Sequence, residues 1–271
     1  MSWGRLLTLG AGMGVGSLLY GGLFGLRELR LERRSLRLAG WPRTLDGFRI
    51  AVLADPHIRD KWSVDMMHRA IELARAESPD VICLLGDFVS YWRPGVPEMV
   101  ANALAPLAAF NGPKLAIAGN HDWFSGTPDQ LLSAFDAAGI RLLRNENVSA
   151  GGITFVGLES ALEGMPDPLQ AVGGADPDQP MICLWHEPDW ADLLPETFAL
   201  TLSGHTHGGQ FLTPWGWAPG LPTGGRRFVR GFFPHLPVPL YVSRGIGTTG
   251  PPSRLFCPGE VSLLRLFSDE T

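Results

Sequence analysis

Short apolar runs that end in glycine or a carboxylate recur along the chain. Residues 49–55 (RIAVLAD), 80–87 (DVICLLGD) and 114–119 (KLAIAG) are apolar nearly throughout, which predicts strands buried on both faces. Between them the apolar spacing becomes helical. Residues 64–77 follow Ser63, a candidate N-cap, and residues 97–109 carry Pro97 in their first turn. Thr127-Pro128-Asp129 opens a third helix that reaches about Ala138. Further strands are predicted at 153–159, 181–186, 198–203 and 240–244. The alternation of strand and helix in the first part predicts a largely parallel sheet with right-handed crossovers. The second part is strand-rich with long loops. No fixed-period repeat or low-complexity linker divides the chain, so residues 29–271 read as one globular domain.

Ahead of that domain, residues 6–26 carry no charge over 21 positions. As a helix this run would measure about 31 Å, close to one bilayer core. Its seven glycines weaken both helix propensity and hydropathy. Residues 1–28 are expected to form a single membrane anchor, with a cleaved signal or a buried helix as alternatives. No small-residue cleavage site follows the run, and the pair Arg33-Arg34 comes after it. Arg27, Arg30, Arg33, Arg34, Arg37 and Arg43 follow the run against Arg5 before it. The positive-inside rule then expects a membrane-associated protein with its catalytic domain on the cytoplasmic side, the extracytoplasmic side being the alternative.

Composition narrows the classes. Of 271 residues, 45% are apolar and 18% charged, which excludes disorder for the bulk of the chain. Thirty-four glycines and 23 prolines exclude a helical bundle. Lys and Arg number 22 against 27 Asp and Glu, and no basic cluster marks a nucleic-acid partner. Three cysteines build no disulfide framework; Cys83 and Cys183 sit inside apolar runs as core residues.

The chemistry collects where strands end, which is where open α/β sheets place their sites. Five ends carry metal-capable side chains: Asp55-Pro56-His57, Gly86-Asp87, Gly119-Asn120-His121-Asp122, His186, and Gly204-His205-Thr206-His207-Gly208-Gly209-Gln210. Alone, D-x-H or GD is commonly a turn, and a lone strand-end His is commonly structural. Together they are more specific, because five of the seven histidines fall in them. His68 and His235 are left over as structural residues. The donors are oxygen and imidazole without cysteine, which excludes a structural zinc site and suits Mn²⁺, Fe²⁺ or Zn²⁺ with open positions. Seven ligands suffice for the paired ions that phosphoryl hydrolysis uses. His121 is placed to act as an acid, with Asp122 to orient it.

The ordered series D-x-H, GD, GNHD, lone His and GHTH resembles the calcineurin-like metallophosphoesterase superfamily over about residues 48–264. GHTHGGQ, the later YVSRGIGTTGPPSR and the apolar amino terminus resemble its membrane-associated branch. That branch includes bacterial phosphodiesterases and UDP-2,3-diacylglucosamine hydrolases of lipid A synthesis. The resemblance implies an α/β sandwich of two central β-sheets flanked by helices. It implies one divalent ion held by Asp55, His57, Asp87 and His207, and another by Asp87, Asn120, His186 and His205, with Asp87 bridging. Mn²⁺ is the first candidate, with Fe²⁺ or Zn²⁺ as alternatives. His121 would stabilise the transition state or protonate the leaving oxygen, with Asp122 as its partner. The implied reaction is hydrolysis of a phosphodiester or pyrophosphate, including lipid-linked ones.

A membrane pseudoenzyme or scaffold, a phosphomonoesterase and a protein phosphatase are the competing readings. The complete ligand set disfavours the first, and the acidic balance argues against a nuclease. Two positions depart from the family pattern: Ser90 stands where an Asp is frequent, and Arg59 where a Gly is frequent. Arg59 and Arg244 are candidate contacts for the substrate phosphate, with a solvated surface position as the alternative for Arg59. Residues 211–235, rich in Trp, Phe and Arg, read either as a lid or membrane-interface loop, or as a loop packed on the domain.

Overall fold

The computed structural model describes residues 21–22 and 24–269. Its strands are β1 (Leu29–Leu38), β2 (Phe48–Leu53), β3 (Val81–Leu84), β4 (Lys114–Ala116), β5 (Arg141–Leu142), β6 (Glu146–Ala150), β7 (Ile153–Gly157), β8 (Met181–Leu184), β9 (Phe198–Ser203), β10 (Gly231–Phe233), β11 (Leu240–Val242) and β12 (Gly259–Ser268). They form two six-stranded sheets, ordered β1-β12-β2-β3-β4-β5 and β10-β11-β9-β8-β7-β6. The runs β2-β3-β4-β5 and β11-β9-β8-β7 are parallel. β6 and β10 pair antiparallel at opposite positions of the second sheet, and β12 pairs antiparallel with β2.

The apolar runs are continuous because each strand feeds two cores. Ile50, Val52, Cys83, Ile153, Phe155, Ile182 and Leu184 fill the space between the sheets. Ala51, Leu53, Ile82 and Leu84 face the other way, against Met67, Ala70 and Ile71 of the helix Lys61–Ala76. Burying each such large aliphatic chain contributes about 1.5–3 kcal/mol. Val156 and Cys183 line a third cluster on the outer face of the second sheet.

The N-cap of that helix is Asp60 rather than Ser63. Asp60 Oδ1 accepts from the Ser63 N–H at 2.9 Å, and Ser63 Oγ accepts from the Asp60 N–H at 3.1 Å, a reciprocal capping box. The helix expected at 97–109 is α-helical over Val96–Leu104 and tightens to a 3₁₀ turn over Ala105–Ala109. Several predicted strands stop two or three residues early, β2 at Leu53 and β3 at Leu84. The next residues leave extended geometry: φ is +51° at Asp55, +87° at Gly86 and +54° at Asp87. β1 escaped prediction because LRLERRSLRL is an edge strand with charged side chains along its exposed positions.

The expected membrane anchor is corrected. Among the described residues no helix is long and apolar enough to cross a membrane. Residues 1–20 of the expected anchor lie outside the described residues. Its described end turns into a 3₁₀ helix at Gly25–Arg27 and seats on the domain, where the Gly21 carbonyl accepts from the Arg254 N–H at 3.3 Å. A Cβ at Gly25 would collide with the Arg254 carbonyl, so the glycines that lower hydropathy also permit this close packing. The assignment to a membrane side falls with the anchor.

Candidate metal centre

The parallel strands of both sheets deliver their carboxyl ends to one edge of the sandwich. β2 leads to Asp55 and His57, β3 to Asp87, β4 to Asn120 and His121, β8 to His186, and β9 to His205 and His207. The turns after β3 and β4 abut. A Cβ on Gly86 would lie 2.7 Å from Gly119 Cα, and one on Gly119 would overlap Asp87 Oδ1. Only glycine at both places lets these turns touch. Five of the seven candidate ligands, Asp55, His57, Asp87, His205 and His207, have φ between +45° and +71°. Left-handed backbone is uncommon outside glycine, though Asp and His adopt it more readily than most, and it concentrates at functional sites.

The structure brings all seven candidates together. Asp87 Oδ2 lies 3.3 Å from His57 Nε2 and 3.3 Å from His186 Nε2, between two groups of donors. On one side, Asp55, His57 and His207 converge, with His57 Nε2 facing His207 Nε2 at 3.0 Å. On the other, Asp87, His186 and His205 converge, with Asn120 Oδ1 3.0 Å from His205 Nδ1. The main chain sets the imidazole orientations. His186 Nδ1 donates to the Leu85 carbonyl at 2.6 Å, which turns Nε2 toward the carboxylates. His205 Nε2 donates to the Thr223 carbonyl at 2.8 Å, which leaves Nδ1 facing Asn120. Asp55 Oδ1 accepts from the His205 N–H at 2.9 Å and ties the two sheets together.

These donors fit divalent ions. Asp55, His57, Asp87, His186 and His207 are at most 3% exposed. Buried carboxylates and imidazoles at this density need a cation or a proton among them. Asp55 Oδ2, His57 Nδ1 and His186 Nε2 are buried with no hydrogen-bond partner. Two imidazole nitrogens face each other directly, an arrangement that a shared cation relieves. Two half-sites joined by one carboxylate suit a dinuclear divalent centre.

The electrostatics point the same way. Burial pushes the Asp55 carboxyl up to about 7, against the lowering charge of His186. Burial also disfavours ionised Asp87, yet the neighbouring His186 and His57 hold it well below the usual carboxylate range. His186 is the converse: burial opposes its charge, but Asp87, Glu187 and Asp55 raise it well above an ordinary imidazole. Burial lowers His57 to about 4, and burial with the charges of His57 and Arg254 lowers His207 well below its usual value. Without ions, a proton on His186 balances the cluster; neutral His57 and His207 are already in the form that binds metal.

His121 lies beside the centre, its ring centroid 4.7 Å from that of His57. Its N–H donates to Asp87 Oδ1 at 2.9 Å, and its Nδ1 donates to the Ser90 carbonyl at 2.8 Å. Nε2 thereby remains for a substrate. The expected orienting role of Asp122 is corrected: its carboxylate accepts instead from the N–H groups of Gly119 at 2.9 Å and Val89 at 3.1 Å. Burial, with the charge of Asp87, pushes Asp122 up to about 7. Sequence reasoning marked Ser90 only as a departure from the family pattern and missed its anchoring of His121, because a main-chain carbonyl leaves no side-chain signature. The Ser90 hydroxyl donates to the His57 carbonyl at 3.0 Å, binding the two turns.

The two arginines proposed for substrate are placed elsewhere. Arg59 donates to the Thr248 carbonyl at 3.2 Å and to Thr248 Oγ1 at 2.7 Å. Arg244 is held by Glu260 and Glu32, each at 2.6 Å. Neither lines the cavity of about 420 Å³ above the centre, whose walls include Asp87, Asn120, His121, His205, Phe211, Leu221 and Pro222. In the loop at 211–235, Phe228 is buried while Trp215 and Trp217 are 79% and 60% exposed. Thr206 Oγ1 donates to the Val229 carbonyl at 2.6 Å and fastens this loop to the GHTH turn.

Comparison with known proteins agrees with this geometry. The family profile described as calcineurin-like phosphoesterase matches residues 48–209. The chain is 31% identical over 237 residues to Phosphodiesterase YaeI of Escherichia coli (strain K12), covering 85% of this chain and 86% of that protein. It is 27% identical over 270 residues to the uncharacterized metallophosphoesterase YkuE of Bacillus subtilis (strain 168), covering 94% of each. It is 30% identical to the uncharacterized metallophosphoesterase Cj0846 of Campylobacter jejuni, but spans only 60% of that longer protein. In fold it is similar to a dimetal phosphatase from Danio rerio, with a TM-score of 0.51 at 13% identity, covering 83% of this chain and 94% of that one.

Proposed function

The chain belongs to the calcineurin-like phosphoesterase family of metal-dependent phosphoester hydrolases, and from that premise we propose that residues 29–271 hydrolyse a phosphodiester. One half-site is formed by Asp55, His57, Asp87 and His207; the other by Asp87, Asn120, His186 and His205. The observation that carries this reading is Asp87 Oδ2, equidistant at 3.3 Å from an imidazole of each half. Mn²⁺ is the proposed occupant of both halves, since mixed oxygen and imidazole donors without thiolate suit it.

Two bound divalent ions supply Lewis-acid neutralisation of the phosphoryl oxygens and a water acidified enough to attack phosphorus at neutral pH. The chain's own residues do the rest. Asp87 keeps both half-sites in register through its shared carboxylate. His121, anchored through Nδ1, presents Nε2 to the leaving oxygen and donates the proton that lets the alcohol depart. Water and the diester thus yield a monoester and an alcohol. Gly86 and Gly119 fix where His121 stands relative to Asp87.

The cavity lining supports a diester over a monoester. Among the described residues, no Lys or Arg lines it. A monoester carries a second negative charge and is ordinarily clamped by guanidinium or ammonium groups. The apolar wall of Phe211, Leu221 and Pro222 is proposed to accept an apolar ester limb, as a lipid-linked phosphodiester would offer. The test is turnover of bis(p-nitrophenyl) phosphate against p-nitrophenyl phosphate by protein reloaded with Mn²⁺. The diester is expected to have the higher kcat/KM. Preference for the monoester would reject the diester assignment, and no turnover of either would reject the hydrolase reading of this site.

A further inference from the structure

Among the described residues Arg254 is the bulkiest fully buried side chain, 1% exposed. Its guanidinium spends its donors on main-chain carbonyls. Nε donates to Gly247 at 3.0 Å. Nη1 donates to His207 and Cys257, each at 3.2 Å. Nη2 donates to Gly247 at 2.6 Å, Arg244 at 2.8 Å and Gly245 at 3.1 Å, and lies 3.4 Å from His207 Nδ1.

These carbonyls belong to segments that seat particular ligands. One is His207 itself. Another is the turn at residues 244–247, which packs on Asp55. The Gly247 N–H donates to the Asp55 carbonyl at 2.8 Å, and the Ile246 N–H to the Ala54 carbonyl at 2.9 Å. A Cβ at Gly245 would stand 2.7 Å from Asp55 Oδ2, so this turn is the wall against which that carboxylate rests. Asp55 and His207 belong to the same half-site. The imidazoles of the other half have main-chain anchors of their own, His186 on the Leu85 carbonyl and His205 on the Thr223 carbonyl, and it is the His205 main-chain N–H, not its ring, that meets Asp55.

We infer that Arg254 is the positioning residue of one half of the centre: it sets the ion affinity of the Asp55–His57–His207 half-site and leaves the Asp87–Asn120–His186–His205 half-site unaffected. The inference rests on the metal-centre reading above. Its physical basis is that a planar guanidinium with five fixed donors binds several carbonyls at once. An ammonium, with three donors at one point, cannot reproduce that fork.

The test is calorimetric titration of the full chain with Mn²⁺ alone, for wild type, Arg254→Lys and Arg254→Gln. Each substitution is also combined with His186→Ala or His207→Ala. Wild type is expected to bind two ions. Arg254→Lys should bind one with wild-type affinity and the other at least about tenfold more weakly, the usual effect of disturbing a group that orients a ligand. In the His186→Ala background it should weaken the remaining ion by a similar factor. In the His207→Ala background it should change nothing further. Equal weakening of both ions, two unchanged affinities, or failure of both Arg254 variants to fold would overturn the inference. Wild type that binds no Mn²⁺ would instead remove the metal-centre reading beneath it.

Discussion

Two polar clusters meet at the turn after His207, where a Cβ on Gly208 would lie 2.5 Å from Arg244 Cγ, and they differ in closure. Arg244 sits among Glu32, Glu260 and Tyr241, and every partner is answered. Its Nε and Nη2 reach the two glutamates at 2.6 Å, and Tyr241 Oη donates to Glu260 at 2.7 Å. The cluster around Asp87 is open. Among the described residues, six buried side-chain polar atoms lack a partner, and three of them belong to it. A closed network spends its donors and acceptors on the fold; an open one keeps them for a ligand. By this difference Arg244 is a strut and Asp87 the proposed bridge, although the two were read as candidates for one site.

Asp87→Asn breaks the open cluster most severely. It removes the shared charge, and turnover of bis(p-nitrophenyl) phosphate should fall by about 10⁴-fold or more. The variant should hold at most one Mn²⁺ by metal analysis while circular dichroism reports an unchanged fold. Retained turnover with two ions would end the bridging role. His121→Ala should cost roughly 10²–10³-fold in kcat, because it removes the proton donor and spares every ligand. Metal analysis should still count two ions; their loss would move His121 from proton transfer to ion binding.

Arg244→Met attacks the closed cluster, and its effect should be on stability. Breaking a buried pair costs about 3–5 kcal/mol. Arg244 and Glu32 are 17% and 25% exposed, so about 2–3 kcal/mol is expected from denaturant unfolding. Turnover per folded molecule should stay within about threefold of wild type. A selective loss of turnover at unchanged stability would return Arg244 to the site.

The smallest effect expected is that of pH on ion binding. Burial holds the Asp55 carboxyl at about 7 in the ion-free fold. At pH 6 an entering ion must displace that proton, and at pH 8 it need not. Apparent Mn²⁺ affinity at the Asp55 half-site should therefore drop by about tenfold from pH 8 to pH 6, with proton release detectable by calorimetry in buffers of different ionisation enthalpy. For the ion-free fold the sign is opposite. The stability that Asp55 contributes is complete below the unfolded carboxyl value and is lost as pH rises through 7. A flat affinity profile would place Asp55 outside the ion shell.

What the sequence made legible was side-chain chemistry at strand ends. Asp55, Asp87 and His205 follow apolar runs that have to be strands, so their convergence could be read from pattern alone. What it hid was main-chain chemistry. Ser90 anchors His121 by a carbonyl, and Arg254 organises the Asp55 wall through carbonyls; neither interaction needs a recognisable side-chain pair. Asp122 was read as a partner of its neighbour His121, yet it closes the Gly119 turn by taking main-chain N–H groups. The left-handed turns at Asp55 and Asp87 were equally hard to read, because no glycine marks either position, although Asp tolerates such a backbone better than most residues. The amino-terminal run misled through length without charge. At its described end, Gly21 and Gly25 pack closely on the Arg254 carbonyl, so there glycine serves contact with protein.

Anomalous diffraction from crystals grown with Mn²⁺ tests the open cluster directly. Two peaks are predicted, one on each side of Asp87 Oδ2, the first against Asp55, His57 and His207 and the second against Asn120, His186 and His205. A single peak, or peaks only at sites away from these seven residues, would contradict the account.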